Sequence, residues 1–278
     1  MSAKTASRTQ FQNVVARAGL AALLFVSASA FAQVAPNLGT SGAFAGLGRN
    51  AIPTIGTFTC TDTGPGIGIF GTGGTTSPVG FTNTGCTITG GVVFPVAAAV
   101  VNDFDAAIAA VDAQNAVCTG VIPIVTTTLA PGVYCSAAAT TIGAVIITLN
   151  GTASDVWVFR TGTGGLGALT LTGAQVVMGG SASPCNVYWK TTAADMTTTD
   201  SAFVGTVLSA GAITMTRGSW TGRALATLDV TFTDPQPMTS CAVLAAGSSR
   251  IPTLSAWAMI LLAGLLAVAG FVAMRKQR

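Results

Sequence analysis

The chain has 278 residues, half of them apolar and only 8% charged, with 34 glycines and a formal net charge of +3. That supplies one sizeable core plus appendages and excludes an intrinsically disordered chain, which combines high charge with low hydropathy. It also argues against a nucleic-acid binder: the positive surplus sits at the two ends (Lys4, Arg8, Arg17; Arg275, Lys276, Arg278), while residues 33–250 carry six basic residues against nine aspartates, a net −3.

Residues 1–32 read as a secretory signal, with a basic stretch to Arg17, an apolar run from Ala18 to Val26 and a small-residue site at Ala30-Phe31-Ala32. Processing there leaves Gln33 at the N-terminus. All six cysteines, Cys60, Cys86, Cys118, Cys135, Cys185 and Cys241, lie beyond it. An even count in an exported chain favours three disulfides. Six cysteines allow about 15 connectivities, of which proximity suggests Cys60 with Cys86 and Cys118 with Cys135, leaving Cys185 with Cys241; each such closure would contribute about 3 kcal/mol in the chain-entropy model. With no CxxC spacing and no histidine, neither a metal site nor a cofactor is expected.

From Gln33 to Gly91 the chain is rich in Gly, Thr and Pro, with short apolar pieces such as Ile55 to Phe58 and Ile67 to Phe70 that read as brief strands between turns. Pro95 then fits the first turn of a helix, and Val101, Phe104, Ile108 and Val111 form one apolar stripe before Gly120 ends the run. Asp105 and Asp112 lie on one flank of that helix, which reads as solvated. Leu129-Ala-Pro-Gly-Val-Tyr134 turns the chain into strand.

Next comes a repeat. Met196-Thr-Thr-Thr199, Ile213-Thr-Met-Thr216 and Val230-Thr-Phe-Thr233 recur every 17 residues, and the first interval also carries Phe203 into Trp220, Gly205 into Gly222 and Leu208 into Leu225. A short fixed period of strand-forming residues marks a solenoid, each coil stacked on the last. Loosening the period extends the ladder upstream to Thr170-Leu-Thr172 and Thr148-Leu-Asn150. The predicted outward array is therefore Thr148, Asn150, Thr170, Thr172, Thr197, Thr199, Thr214, Thr216, Thr231 and Thr233, with Leu171, Met215 and Phe232 turned inward. A second series, Val156-Trp-Val-Phe159, Val187-Tyr-Trp189, Thr206-Val-Leu208 and Arg223-Ala-Leu225, begins with an uninterrupted apolar run and needs cover on both sides, for which the helix is the obvious source.

Ala256 to Met274 is a 19-residue apolar segment, long enough to span a bilayer, followed at once by Arg275, Lys276 and Arg278. Just before it stand Ile251, Pro252, Thr253, Leu254 and Trp257. This phrase, the apolar segment and the basic tail resemble the IPTL-type C-terminal sorting signals of Gram-negative bacteria. The resemblance implies passage through the inner membrane, reading by an exosortase-type sorting enzyme and delivery to the cell surface. The expected organisation is a signal peptide at 1–32, a solenoid domain at 33–246, and a sorting segment at 247–278 with a transmembrane helix at 256–274.

Within the domain, LxPGVY (Leu129 to Tyr134), DVWVF (Asp155 to Phe159), CNVYW (Cys185 to Trp189), GTVL (Gly205 to Leu208) and GRALA (Gly222 to Ala226) resemble the microbial ice-binding protein family. Leu38-Gly-Thr40 and the single helix fall in the family's order, so the likeness spans about residues 36 to 235. It implies a mainly β fold: a right-handed, discontinuous β-solenoid of triangular cross-section, completed by its N-terminal segment, with one long α-helix packed along it. It also implies an exported protein that adsorbs to ice through a flat threonine-rich face, slowing recrystallisation or attaching the cell to ice. Of the family's T-A/G-x-T/N phrase, Thr172-Gly-Ala-Gln175 comes nearest; Asp200, Arg217 and Trp220 would interrupt a flat face if they pointed into it. The alternative is a surface adhesion or matrix protein that binds polysaccharide or another cell, for which an exposed Trp157 or Trp220 would serve as a sugar platform. An enzyme is not expected: there is no His or Glu, Lys190 is the one lysine of residues 33–250, and the glycine runs at Gly71 to Gly74 and Thr161 to Gly165 read as solenoid turns.

Overall fold

The computed structural model describes residues 33–49, 57–61, 69–70, 72–76, 80–114, 118–235 and 238–241. The expected signal peptide, the sorting motif at Ile251 to Trp257 and the apolar segment 256–274 lie outside these residues. Among the described residues, no helix is long and apolar enough to cross a membrane.

The described chain is a solenoid whose strands, numbered β1 to β19 in chain order, pair side by side in three parallel ladders. The first ladder runs through β10 (Thr140–Ile142), β13 (Leu169–Thr172), the opening parts of β16 (Met196–Ser209) and β17 (Ile213–Ala226), β18 (Val230–Thr233), β2 (Phe58–Thr61) and β5 (Phe81–Thr84). The second takes in β8 (Thr127–Leu129), β11 (Ile146–Gly151), β14 (Gln175–Gly180), the middles of β16 and β17, β19 (Met238–Ser240) and β3 (Ile69–Phe70). The third takes in β7 (Gly120–Val121), β9 (Gly132–Ser136), β12 (Trp157–Thr161), β15 (Val187–Thr191), the ends of β16 and β17, β1 (Phe44–Gly48), β4 (Thr72–Thr75) and β6 (Val92–Val93). The stack is discontinuous in chain order: β1, β2 and β3 follow β17, β18 and β19, so the N-terminal segment completes the far end.

Period-two alternation sends every second side chain into the coil. One column of ring contacts runs through Tyr134, Phe159, Trp189, Phe203, Trp220, Phe232, Phe58, Phe81 and Phe94, with centroids 3.8 to 6.4 Å apart. The coil corners demand glycine where strands approach most closely. At Gly222, with φ at 151°, a Cβ would lie 1.9 Å from the carbonyl oxygen of Gly205, which explains why glycine recurs there from coil to coil.

The helix α1 (Ala98–Asp112) covers the third ladder, meeting Leu47, Val133, Val158, Tyr188, Leu208 and Leu225. Its buried positions are Val100, Phe104, Ala107 and Val111. The predicted stripe is thus rotated: Val101 and Ile108 are only partly buried, and Val100 and Ala107 take their places against the ladder. Pro95 lies ahead of the helix rather than in its first turn, and α1 ends at Asp112 rather than running to Gly120.

The flank of α1 is not merely solvated. Asp112 accepts from Arg160 at 2.8 Å and Lys190 at 2.5 Å, two cations almost wholly buried in the third ladder, and Asp105 pairs with Arg49. Cations beside the last turn also complement the helix dipole. Asp103 accepts from the backbone N–H and the hydroxyl of Thr40 at 2.7 and 2.6 Å, tying the N-terminal segment to the helix. Those hydrogen bonds hold its carboxyl below the ordinary carboxylate range. The three disulfides join Cys60 to Cys86, Cys118 to Cys135 and Cys185 to Cys241, the pairings that sequence proximity favours.

Candidate functional site

Among the described residues nothing covers the first ladder, and its strands alternate between buried and partly open positions. Phe58, Leu171, Met215 and Phe232 point into the coil, and threonines point out. In register, Thr141, Thr170, Thr197, Thr214, Thr231, Thr59 and Thr82 form one unbroken file. Thr172, Thr199, Thr216, Thr233, Thr61 and Thr84 form a second beside it.

Two corrections to the sequence reading follow. Thr148 and Asn150 are not rungs of this ladder; they lie in β11, where they face Val177 and Gly179 across the second ladder. The residue that continues the first file is Thr141, seven positions earlier, because the chain turns a corner between β10 and β11. The reading also missed the far end of both files. Thr59, Thr61, Thr82 and Thr84 belong to Phe58-Thr-Cys-Thr61 and Phe81-Thr-Asn-Thr84, which carry the same apolar-Thr-x-Thr phrase as the later coils. That phrase was the available signal, but chain order conceals where it stacks.

The charged residues that threatened a flat surface turn out at its border. After the second threonine of successive rungs the backbone enters the left-handed region, at Gly173, Asp200, Arg217, Asp234 and Gly85, and the chain leaves the ladder. Asp200 and Arg217 meet along that corner in a two-pronged ion pair at 2.6 and 2.8 Å. Arg217 holds the Asp200 carboxyl below its ordinary range, and Asp200 raises the guanidinium in turn. Being exposed, the pair shapes the corner more than it stabilises the fold. Trp220 and Trp157 are wholly buried, so neither offers the aromatic platform that a sugar-binding reading required. Trp220 and Trp189 use their indole N–H groups internally, donating to the carbonyls of Gly205 and Val204 at 2.9 Å.

The second ladder, also free of the helix, is less regular. Its outward positions mix Ile146, Gln175, Ala202 and Ser219 in one line with Thr128, Thr148 and Val177 in another. Among the described residues, no group of three or more His, Cys, Asp or Glu side chains is placed to hold a metal ion. What the first ladder offers chemically is therefore an uncharged array of hydroxyl and methyl groups on a fixed grid.

This geometry has counterparts among solved structures. An ice-binding protein from an Antarctic biological consortium is 24% identical over 75% of this chain and 92% of its own, with a TM-score of 0.62. The DUF3494 domain of Shewanella frigidimarina ice-binding protein 1 is 24% identical over 74% of this chain and 98% of its own, at 0.59. The Arctic yeast ice-binding protein LeIBP is 18% identical over 80% of this chain and 99% of its own, at 0.54. At such identities the likeness is one of fold. Comparison with curated proteins gives no match. The IPTL-CTERM motif matches residues 251–276. A sequence model described as Ice-binding-like matches residues 33–236, covering almost all of the described solenoid, and the chain therefore belongs to the ice-binding-like family.

Proposed function

We propose that this protein adsorbs to ice through the first ladder, slowing recrystallisation and attaching the cell that carries it. The observation that carries the reading is the pair of unbroken threonine files. Coils in a parallel ladder repeat at about 4.8 Å, and alternate residues along a strand at about 6.7 Å. Each threonine adds a hydroxyl that orders water and a methyl that disfavours bulk-like hydration. One such contact is weak, on the order of 1 kcal/mol net per hydrogen bond. A grid already fixed by the ring column and the helix engages many together with little further ordering cost.

Export by residues 1–32, and handling of residues 247–278 by an exosortase-type enzyme at the inner membrane, would deliver the domain to the cell surface. A transmembrane helix at 256–274 would hold the chain there at least transiently.

The test replaces Thr199→Tyr and Thr216→Tyr together, since both lie inside the second file, beside each other, and point out of the core. Ice-recrystallisation inhibition should fall about tenfold or more, equivalent to losing ~1.4 kcal/mol of adsorption, with the melting temperature unchanged. Thr148→Tyr, on the second ladder, should leave it intact. The reverse pattern would move the activity to the second ladder.

A further inference from the structure

The last of the described residues, Cys241, stands at a particular corner of the solenoid. From β10 to β19 the chain passes through the first, second and third ladders in turn, so the corner between the second and third is the one opposite the threonine files. Cys241 stands there, directly after β19, and so does Cys185, directly before β15. Ser240 pairs with Gly222, the last residue before the chain of the coil above enters the third ladder. Cys241, the last of the described residues, therefore stands on the side of the solenoid away from the candidate ice surface.

The disulfide at that corner changes where a pull on the tail is felt. Strand β19 has three residues and pairs with β17 on one side and β3 on the other. Tension entering at Cys241 would otherwise peel β19 first and then β18, which carries Thr231 and Thr233. The Cys185–Cys241 bond spans 56 residues and encloses the three regular coils, with Thr197, Thr199, Thr214, Thr216, Thr231 and Thr233. Through it the tension bypasses those coils and enters at β15, held between β12 and β16 in the interior of the stack.

We propose that the Cys185–Cys241 disulfide is a force-transmitting clasp. It couples the C-terminal tail to the middle of the solenoid, so that a cell held to ice loads the protein from the corner opposite the threonine face without unravelling that face. Its biological purpose rests on the ice-binding reading; its mechanics do not.

Two measurements on the full chain test it. In cells displaying the protein, Cys185→Ala/Cys241→Ala should bind ice at rest as the wild type does, yet release it at a roughly twofold or greater lower shear, since forced opening follows the unfolding rate. Release at the same shear overturns the clasp. The second measurement needs no ice: the chain is held by its N-terminus and its tail under a force ramp. The wild type should open first at high force, whereas the double variant should lose β19 and β18 in a separate low-force step; equal first-step forces overturn the proposal. If the double variant does not fold, phosphine reduction of the folded wild type replaces it in the ramp, with reduced and oxidised Cys60→Ala/Cys86→Ala as the control for the disulfide in β2, the strand that pairs with β18. A wild type that fails to bind ice at rest overturns the ice-binding reading instead, and leaves the ramp to decide the clasp.

Discussion

The third and first ladders use the same parallel pairing and end in opposite conditions. Every residue of β12 and β15 is buried, whereas β13 and β18 bury only alternate residues. The sequence difference is small: Val158 and Tyr188 stand on the outer side of the third ladder where Thr170 and Thr197 stand on that of the first. Apolar outer residues require a second layer, and α1 supplies one. Threonine outer residues leave water as the partner and hand the surface to whatever orders water.

The sharpest way to break this contrast is to loosen the cover. Phe104, wholly buried between helix and ladder, should cost about 3–5 kcal/mol on replacement by Ala. Urea unfolding measures it, and a change below ~1 kcal/mol would mean that the third ladder does not depend on its helix. A smaller effect separates inside from outside on neighbouring residues. Thr198 points inward where other coils place Leu171 or Met215, and its hydroxyl has no hydrogen-bond partner among the described residues. Thr198→Val should gain about 1 kcal/mol by removing a buried unsatisfied group. Thr199→Val, one position on, should change stability by less than ~0.5 kcal/mol. Thermal melts of the two variants decide whether the alternation is as described.

The smallest effect is on pH. Asp103, on the helix side, and Asp200, at the border of the threonine files, both titrate below the ordinary carboxylate range. Their contribution is fully present above that range and is lost as pH falls through their lowered values. Asp103→Asn should flatten the acid limb of the melting temperature against pH, and Asp200→Asn should flatten it less, since Asp200 is exposed whereas Asp103 is half-buried. An equal slope in wild type and Asp103→Asn would remove the Thr40 contact from the account of the fold.

Much of this was legible in the sequence because local pattern and stack order coincide over the late coils. Between Met196 and Thr233 each coil lies directly on the one before, so a 17-residue repeat is also a spatial register. Elsewhere the two part company. The TxT phrase at Phe58 looks isolated in the chain because it stacks on the late phrase at Val230, and the phrase at Phe81 stacks on the one at Phe58. Thr148-Leu-Asn150 has the right letters on the wrong ladder, since a corner resets which strand a phrase belongs to. The helix was found by its period but rotated slightly, because Val100 and Val101 are chemically alike and only the surface beneath chooses between them. The bond from Asp112 to buried Arg160 and Lys190 left no sequence signal beyond the presence of the three charges.

The placement of β1, β2 and β3 under β17, β18 and β19 also fixes an order of events during synthesis. The first strands to emerge have their partners among the last, so the ordinary route for a solenoid, coil added to coil as the chain lengthens, is closed to them. Residues 44–93 can pair among themselves, β1 with β4, β2 with β5 and β4 with β6, but cannot join the rest of the stack until residues 213–240 have appeared. Such long-range pairing is intrinsically slow. A chain that cannot complete its fold until its end is made remains threadable until then, which suits passage through a narrow translocation channel before folding on the far side.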